Sequence, residues 1–175
     1  MSNKRLLKEF YLQNAKDLAP ALIGKVLCRK MCKGKIEKLR ITETECYFGF
    51  EDTASHAHKG KTNRNAPMFE EGGITYIYLC YGVHNLLNIV SGKQNHPEAV
   101  LIRGVEGFNG PGKLTKYLKI MRNLNAESLI TSNEIWIEDD GVKLNYITSV
   151  RVGIDYADIK DREKKWRFIA QGINQ

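Results

Sequence analysis

The sequence contains no run approaching the roughly 18 consecutive apolar residues that a membrane-spanning helix needs. Its opening stretch, MSNKRLLKEF, also lacks the apolar centre of a secretory signal. Both absences predict a cytoplasmic protein with no membrane attachment. There is no low-complexity tract, internal repeat or long linker, which excludes solenoids and tethered arrays. Without a dinucleotide glycine fingerprint or a Walker sequence, no nucleotide cofactor is expected. Cysteine is scarce, and Cys28, Cys32, Cys46 and Cys80 do not fall at a C-x2-C spacing. They read as reduced thiols in or near apolar runs rather than as metal ligands.

What the 175 residues do contain is 42% hydrophobic and 27% charged side chains, a globular composition. The expectation is a single domain over residues 1–175, with the polar residues 1–9 flexible. Lys and Arg outnumber Asp and Glu by 27 to 20, a net charge of +7, which suits a protein that meets a polyanion. Charge alone does not select the partner, because many basic proteins bind no polyanion.

The most informative stretch runs from Arg40 to Asn88. Leu39, Ile41, Glu43, Glu45 and Tyr47 alternate, so a regular strand turns two carboxylates the same way as its apolar residues. A buried carboxylate without a partner costs several kcal/mol, so each must be paired, hydrogen-bonded or kept for chemistry. Upstream, Asn14 or Asp17 caps a short helix carrying Leu18, Leu22 and Ile23, and Gly24 stops it. A strand over 25–32 and a turn at Lys33-Gly34-Lys35 lead into the strand with the glutamates. Residues 50–73 form a connection longer than usual, and His56, His58, Lys59, Lys61 and Arg64 mark it as a binding loop.

Thr75 to Cys80 alternates, with Tyr76, Tyr78 and Cys80 on one face, and Tyr81-Gly82-Val83 turns the chain into a second strand. A tyrosine at that tip exposes apolar area without gaining burial, unless it folds back onto the sheet. Insertion between stacked bases is one reason to keep it there. Residues 99–103 read as a further strand. Gly110-Pro111-Gly112-Lys113-Leu114 opens a helix to about Ile120 with Leu114, Tyr117 and Leu118 facing inward, and such a start can receive a phosphate. Beyond it, residues 126–129 read as a helical turn and 135–138 as a strand turning at Asp139-Asp140-Gly141 into 142–145. Residues 151–154 and 166–169 read as edge strands with a mobile basic segment between them.

Together, Thr42-Glu43-Thr44-Glu45-Cys46-Tyr47-Phe48-Gly49, Ala54-Ser55-His56, Thr62-Asn63-Arg64-Asn65, Met68-Phe69, Tyr76-Ile77-Tyr78, Tyr81-Gly82, Asn88, Arg103 and the Gly110 to Leu114 segment resemble the alkyladenine (3-methyladenine, methylpurine) DNA glycosylase family. The resemblance covers about residues 10–172. It implies an α+β fold, a curved and mostly antiparallel sheet with short helices and a protruding β-hairpin. It also implies a monofunctional enzyme of base excision repair, monomeric and without cofactor or metal, that hydrolyses the N-glycosidic bond of damaged purines in double-stranded DNA. Glu45 would be the general base for the attacking water, and Arg103 would help hold that water. Tyr47, His56 and Tyr78 would surround the extruded base, Asn88 would contact its edge, and Tyr81 would fill the gap left in the duplex. Arg64, Lys113 and Arg151 would grip phosphates, with Lys59, Lys61 and Lys116 beside them.

The chemistry of the residues agrees with those roles. A purine alkylated on a ring nitrogen is cationic and already leaves well, so one anionic carboxylate and one oriented water suffice. Glu43 is then a structural carboxylate satisfied by backbone or a neighbouring cation. Two rivals share the same residues: a non-catalytic binder of damaged nucleic acid, and a hydrolase of sugars or a metal-dependent one using Glu43, Glu45 and the histidines.

Overall fold

The computed structural model describes residues 4–173. Of the expected flexible segment, residues 1–3 lie outside this range, while the rest is ordered into the fold. Strand β1 (Lys4–Arg5) pairs antiparallel with a late strand, and helix α1 (Lys8–Tyr11) follows. Tyr11 is wholly buried, so docking of an aromatic side chain overrides the polar character of the first residues.

Helix α2 (Ala15–Ala21) starts where Asn14 predicts it, the Asn14 side chain accepting from the backbone N–H groups of Lys16 and Asp17. Gly24, at φ +87°, turns the chain out of the helix. Strand β2 (Val26–Lys30) then pairs with β3 (Ile36–Phe48), the long strand on which the sheet is assembled. Strands β4 (Thr75–Cys80), β5 (His84–Ser91), β6 (Glu98–Val105) and β7 (Phe108–Asn109) precede helix α3 (Pro111–Tyr117). After it come β8 (Ile135–Asp139), β9 (Tyr146–Ser149), helix α4 (Ile159–Arg162) and β10 (Arg167–Ala170). The strands form one sheet in the order β1-β8-β2-β3-β6-β5-β4, with β7 on β6 and β10 between β3 and β9. Every pairing is antiparallel, so the fold is α+β: an open sheet with few, short helices. No helix among the described residues is long and apolar enough to cross a membrane.

The face rule read from the sequence fails inside β3. Ile41 pairs with Val105 and Glu43 with Gly104, then Thr44 with Ile102, so Thr42 is an extra residue on β3 and Arg103 an extra residue on β6. These compensating irregularities flip the strand. Leu39 and Ile41 pack in the main core, and so do Cys46 and Phe48, an odd pair before the bulge and an even pair after it. Thr44 also faces that side, its hydroxyl donating to the Ala19 carbonyl of α2 at 2.8 Å. Glu43, Glu45 and Tyr47 consequently leave the side of Ile41 and point to the opposite face of the sheet. Gly104 permits the close approach, because a Cβ there would lie 3.0 Å from Thr42 Oγ1 and 3.1 Å from Glu43 Cβ.

Other expectations shift for identifiable reasons. Residues 126–129 form no helical turn: Ala126 adopts φ +60°, and residues 126–129 bond in extended fashion to Gly73 and Thr75. Residues 142–145 and 151–154 are not strands; the strand is Tyr146–Ser149 between them. Helix α3 ends at Tyr117, which does not face inward but stacks on Phe108 at 4.1 Å between centroids. The basic segment read as mobile is pinned by buried Asp161, which accepts from the Thr53 hydroxyl at 2.5 Å and from Lys164 at 2.6 Å.

Candidate active site

On the face of β3 opposite the main core lies a cavity of about 770 Å³, walled by aromatic side chains from β3, the long loop, the β4–β5 hairpin and the segment after β9. Tyr76 and Tyr78 reach it from β4 because alternation puts them on one face, as the sequence predicts. The tyrosine rings sit 5.5 Å apart, and Tyr78 meets the His56 ring edge-on at 4.5 Å. His56 comes from the long loop, which is knitted by Asn65: its amide donates to the carbonyls of His56 and Gly60, both at 2.9 Å, while its Oδ1 accepts from the Thr62 N–H. His56 Nδ1 is 3.0 Å from the Tyr76 hydroxyl. Although the His56 ring opens onto the cavity, the surrounding walls and, secondarily, the charge of Arg64 push its pKa down to about 4. The imidazole is therefore neutral at neutral pH. Asn88 lines the same cavity from β5, its amide donating to the Tyr76 carbonyl at 3.1 Å.

Glu45 lies immediately behind this wall with no exposed surface of its own. Its Oε2 accepts from the Tyr47 hydroxyl at 2.9 Å, and its Oε1 accepts from the Val152 backbone N–H at 2.8 Å. Arg103 Nε stands 3.5 Å from Oε1. All three neighbours, Tyr47, Val152 and Arg103, line the cavity. Burial raises the Glu45 pKa above the ordinary carboxylate range, against the opposing pull of Arg103, the Val152 N–H and the Tyr47 hydroxyl. Burial, with the Glu45 charge, also pushes the Tyr47 phenol well above its usual value, so it stays protonated and donates. The proton affinity of this carboxyl is thus a balance, raised by burial and the neighbouring Glu43 charge and held down by one cation and two donors. Glu43, equally buried, is held between two cations, accepting from Arg103 Nε at 2.9 Å and Arg167 Nε at 2.6 Å.

At the mouth of the cavity the β4–β5 hairpin projects Tyr81, 90% exposed rather than folded back, with Val83 70% exposed beside it. Tyr81 and Gly82 both have positive φ, +49° and +69°, and the Val83 N–H closes the turn onto the Cys80 carbonyl at 3.1 Å. The strain of a non-glycine residue in this conformation is tolerated at the one position that points the ring outward. Arg64 and Lys113 are exposed at the rim. Arg64 donates to the Leu79 carbonyl at 3.3 Å.

Arg151 requires a correction. Its side chain has no exposed surface and forms a two-pronged pair with Asp52, Nη1 to Oδ2 at 2.5 Å and Nη2 to Oδ1 at 2.8 Å. It also donates to the Cys46 carbonyl at 2.8 Å, so the guanidinium is committed inside the protein and is not presented to a phosphate. Three further participants were not singled out from the sequence. The Val152 N–H contact and the ion pair of Asp52 carry no local signal, because Glu45 and Arg151 lie about a hundred residues away from them in the chain. Tyr156, at the cavity rim, donates to the Ala54 carbonyl at 2.8 Å. Among the described residues, no group of three or more His, Cys, Asp or Glu is arranged to hold a metal ion.

The sequence model of the Methylpurine-DNA glycosylase (MPG) family matches residues 9–109 and 107–174. A protein of Borreliella afzelii (strain PKo) named "Putative 3-methyladenine DNA glycosylase" is 42% identical over 176 residues, covering 93% of this chain and 94% of its own. Proteins with the same name from Rickettsia felis and Psychrobacter cryohalolentis are 41% and 42% identical, covering 98% and 80% of this chain and 97% and 80% of theirs. With the motifs gathered around one cavity and the match extending over residues 9–174, this chain belongs to the methylpurine-DNA glycosylase family.

Proposed function

We propose that the protein is a monofunctional DNA glycosylase that removes alkylated or deaminated purines, 3-methyladenine and its relatives, from double-stranded DNA. The target nucleotide is turned out of the duplex into the aromatic cavity, where a water activated by Glu45 attacks the sugar carbon and the base departs. The observation that carries this reading is the placement of Glu45: a buried carboxylate whose hydrogen-bond donors among the described residues, the Tyr47 hydroxyl and the Val152 N–H, belong to groups that line the aromatic cavity. Tyr47, His56 and Tyr78 offer faces and edges to a planar base. Stacking contributes about 1–3 kcal/mol per base, comparable with the few kcal/mol that unstacking costs.

Neutral His56 and protonated Tyr47 add no positive charge of their own to the stacking walls, where the cavity-lining cations are Arg103, Arg64 and Lys113. Tyr81 would fill the gap left in the duplex, and the exposed Arg64 and Lys113 would reach phosphates at the rim. Asn88 would read the base edge, and Arg103 would help hold the water. The protein acts as a monomer and needs no metal or cofactor.

Incubation with methylated duplex DNA, followed by chromatography of the released purines, tests the reading directly. Base release is expected from wild type. Glu45→Gln keeps the contacts, its Oε1 still accepting from Val152 and its amide donating to the Tyr47 oxygen. It should still bind DNA but lose about 10²–10⁴ in release rate. Undiminished release by the variant would refute the role of Glu45, and binding without release by wild type would leave a damage-binding protein. Borohydride should trap no covalent adduct, because a hydrolytic mechanism forms no Schiff base.

A further inference from the structure

The Glu43–Arg167 pair has no place in the steps above, yet it is buried beside Glu45. Glu43 and Glu45 both follow the bulge on β3, and Arg103 is the extra residue on β6 opposite them. Arg103 Nε is held by Glu43 Oε1 at 2.9 Å and lies 3.5 Å from Glu45 Oε1, so one cation is divided unequally between two carboxylates. Arg167, the register partner of Glu45 on β10, crosses to Glu43 at 2.6 Å. The side chain of Glu43 is 2% exposed, that of Arg103 15% and that of Arg167 24%, so solvent screens these charges weakly.

We infer that Glu43 and Arg167 are positioning residues that fix how much of the Arg103 charge reaches Glu45, and thereby set the pH at which Glu45 becomes the base. The inference rests on the reading of Glu45 given above. The groups facing Glu45 are few. Glu43 and Tyr47 flank it on β3, Arg103 faces it from β6, and Arg167 stands opposite on β10. The Val152 N–H reaches it from the loop after β9, where Arg151 lies over the Tyr47 ring at 4.9 Å and is neutralised by Asp52. Removing Arg167 leaves Glu43 and Glu45 competing for one cation, which disfavours the ionised form of Glu45. Removing the Glu43 charge takes away a like charge and releases Arg103 to Glu45, which favours it.

The two partners of one ion pair should therefore act in opposite directions. A merely structural pair would lower the rate at every pH without moving the profile. The test is single-turnover release of base from methylated duplex DNA across the acid range, with spontaneous loss subtracted using Glu45→Gln. Arg167→Gln is expected to move the acid limb up by about one pH unit and Glu43→Gln to move it down by a similar amount. The charge-balanced double variant should return close to the wild-type profile, and its folding is less at risk because it removes the pair as a whole. Arg167→Lys keeps the charge and should keep the limb in place. Limbs that stay put in both single variants, or that move the same way, would overturn the inference, as would a double variant displaced as far as Arg167→Gln. Absence of release by wild type, or full release by Glu45→Gln, would instead defeat the reading of Glu45 itself.

Discussion

Replacing Arg151 by Met separates the structural reading of that residue from the phosphate contact expected of it. The side chain gives four hydrogen bonds, two to Asp52, one to the Cys46 carbonyl and one to the Asp161 carbonyl at 3.2 Å. Its guanidinium also lies 4.9 Å from the Tyr47 ring centroid and 5.1 Å from that of Trp166. Methionine retains much of the packing but leaves the Asp52 carboxylate buried with, among the described residues, the Phe48 and Ala54 N–H groups as its donors. Removing one partner of a buried pair costs about 3–5 kcal/mol. For a chain of this size about 2–4 °C accompanies each kcal/mol, so the midpoint of thermal unfolding should fall by about 6–20 °C. Asp52→Asn with Arg151→Met should cost less than the sum of the two single changes, since both members of the pair then go together. The salt dependence of DNA binding, measured below the unfolding range, should keep its slope. Lys113→Met should flatten that slope by about 0.9, the signature of one lost phosphate contact. If Arg151→Met unfolds with wild type while its slope drops like that of Lys113→Met, the guanidinium faces DNA and the structural assignment is wrong.

Tyr81→Ala should leave the unfolding midpoint within about 2 °C of wild type, because the ring buries almost nothing. Binding to damaged duplex should weaken by about 5- to 150-fold, the loss of one stacked ring; tight binding by the variant would exclude the wedge. The lowered pKa of His56 has a sign that can be checked. A folded pKa of about 4 below an unfolded value near 6.5 gives stability that is present above 6.5 and declines as the pH falls toward 4. The midpoint of His56→Gln should accordingly depend less on pH across that window than that of wild type, and identical slopes would contradict the burial argument. Gly104→Ala forces a methyl against Thr42 and Glu43 at the bulge. A cost of about 1–3 kcal/mol by thermal unfolding is expected, together with slower base release from a displaced Arg103; an unperturbed variant would mean the bulge is not tight.

The parts of this molecule that were legible in the sequence are those whose cause is local. Asn14 as a helix cap, Gly24 as a stop, the period-two run from Thr75 to Cys80 and the Tyr81-Gly82 turn each depend on residues within a few positions, and the structure repeats them. The cavity-lining positions Tyr47, His56, Tyr78, Asn88 and Arg103 were reached through a resemblance of motifs, and the fold draws them together from β3, the long loop, β4, β5 and β6. What the sequence hid depends on partners distant in the chain. Arg151 reads as a surface cation until Asp52, 99 residues away, is seen to enclose it. Residues 126–129 read as a helical turn because the extended pairing with Gly73 and Thr75 is invisible from their own composition.

The bulge in β3 shows why the local rule fails at the two buried glutamates. A perfectly regular strand would turn Glu43 and Glu45 toward the apolar core with Ile41, where each charge would cost several kcal/mol with no compensation. Inserting Thr42 on one strand and Arg103 on the other reverses the sides, so Ile41 keeps the core while the carboxylates face a cation and the cavity wall. Alternation is a property of one strand, whereas a bulge is a property of a pair, and only β6 with its Arg103-Gly104 sequence makes this one possible. The same irregularity that sends Ile41 and Glu45 to opposite faces also aims Arg103 at the two glutamates. Fold stability and the placement of Glu45 therefore rest on the same pair of compensating irregularities, and a change that regularises the strand should disturb both together.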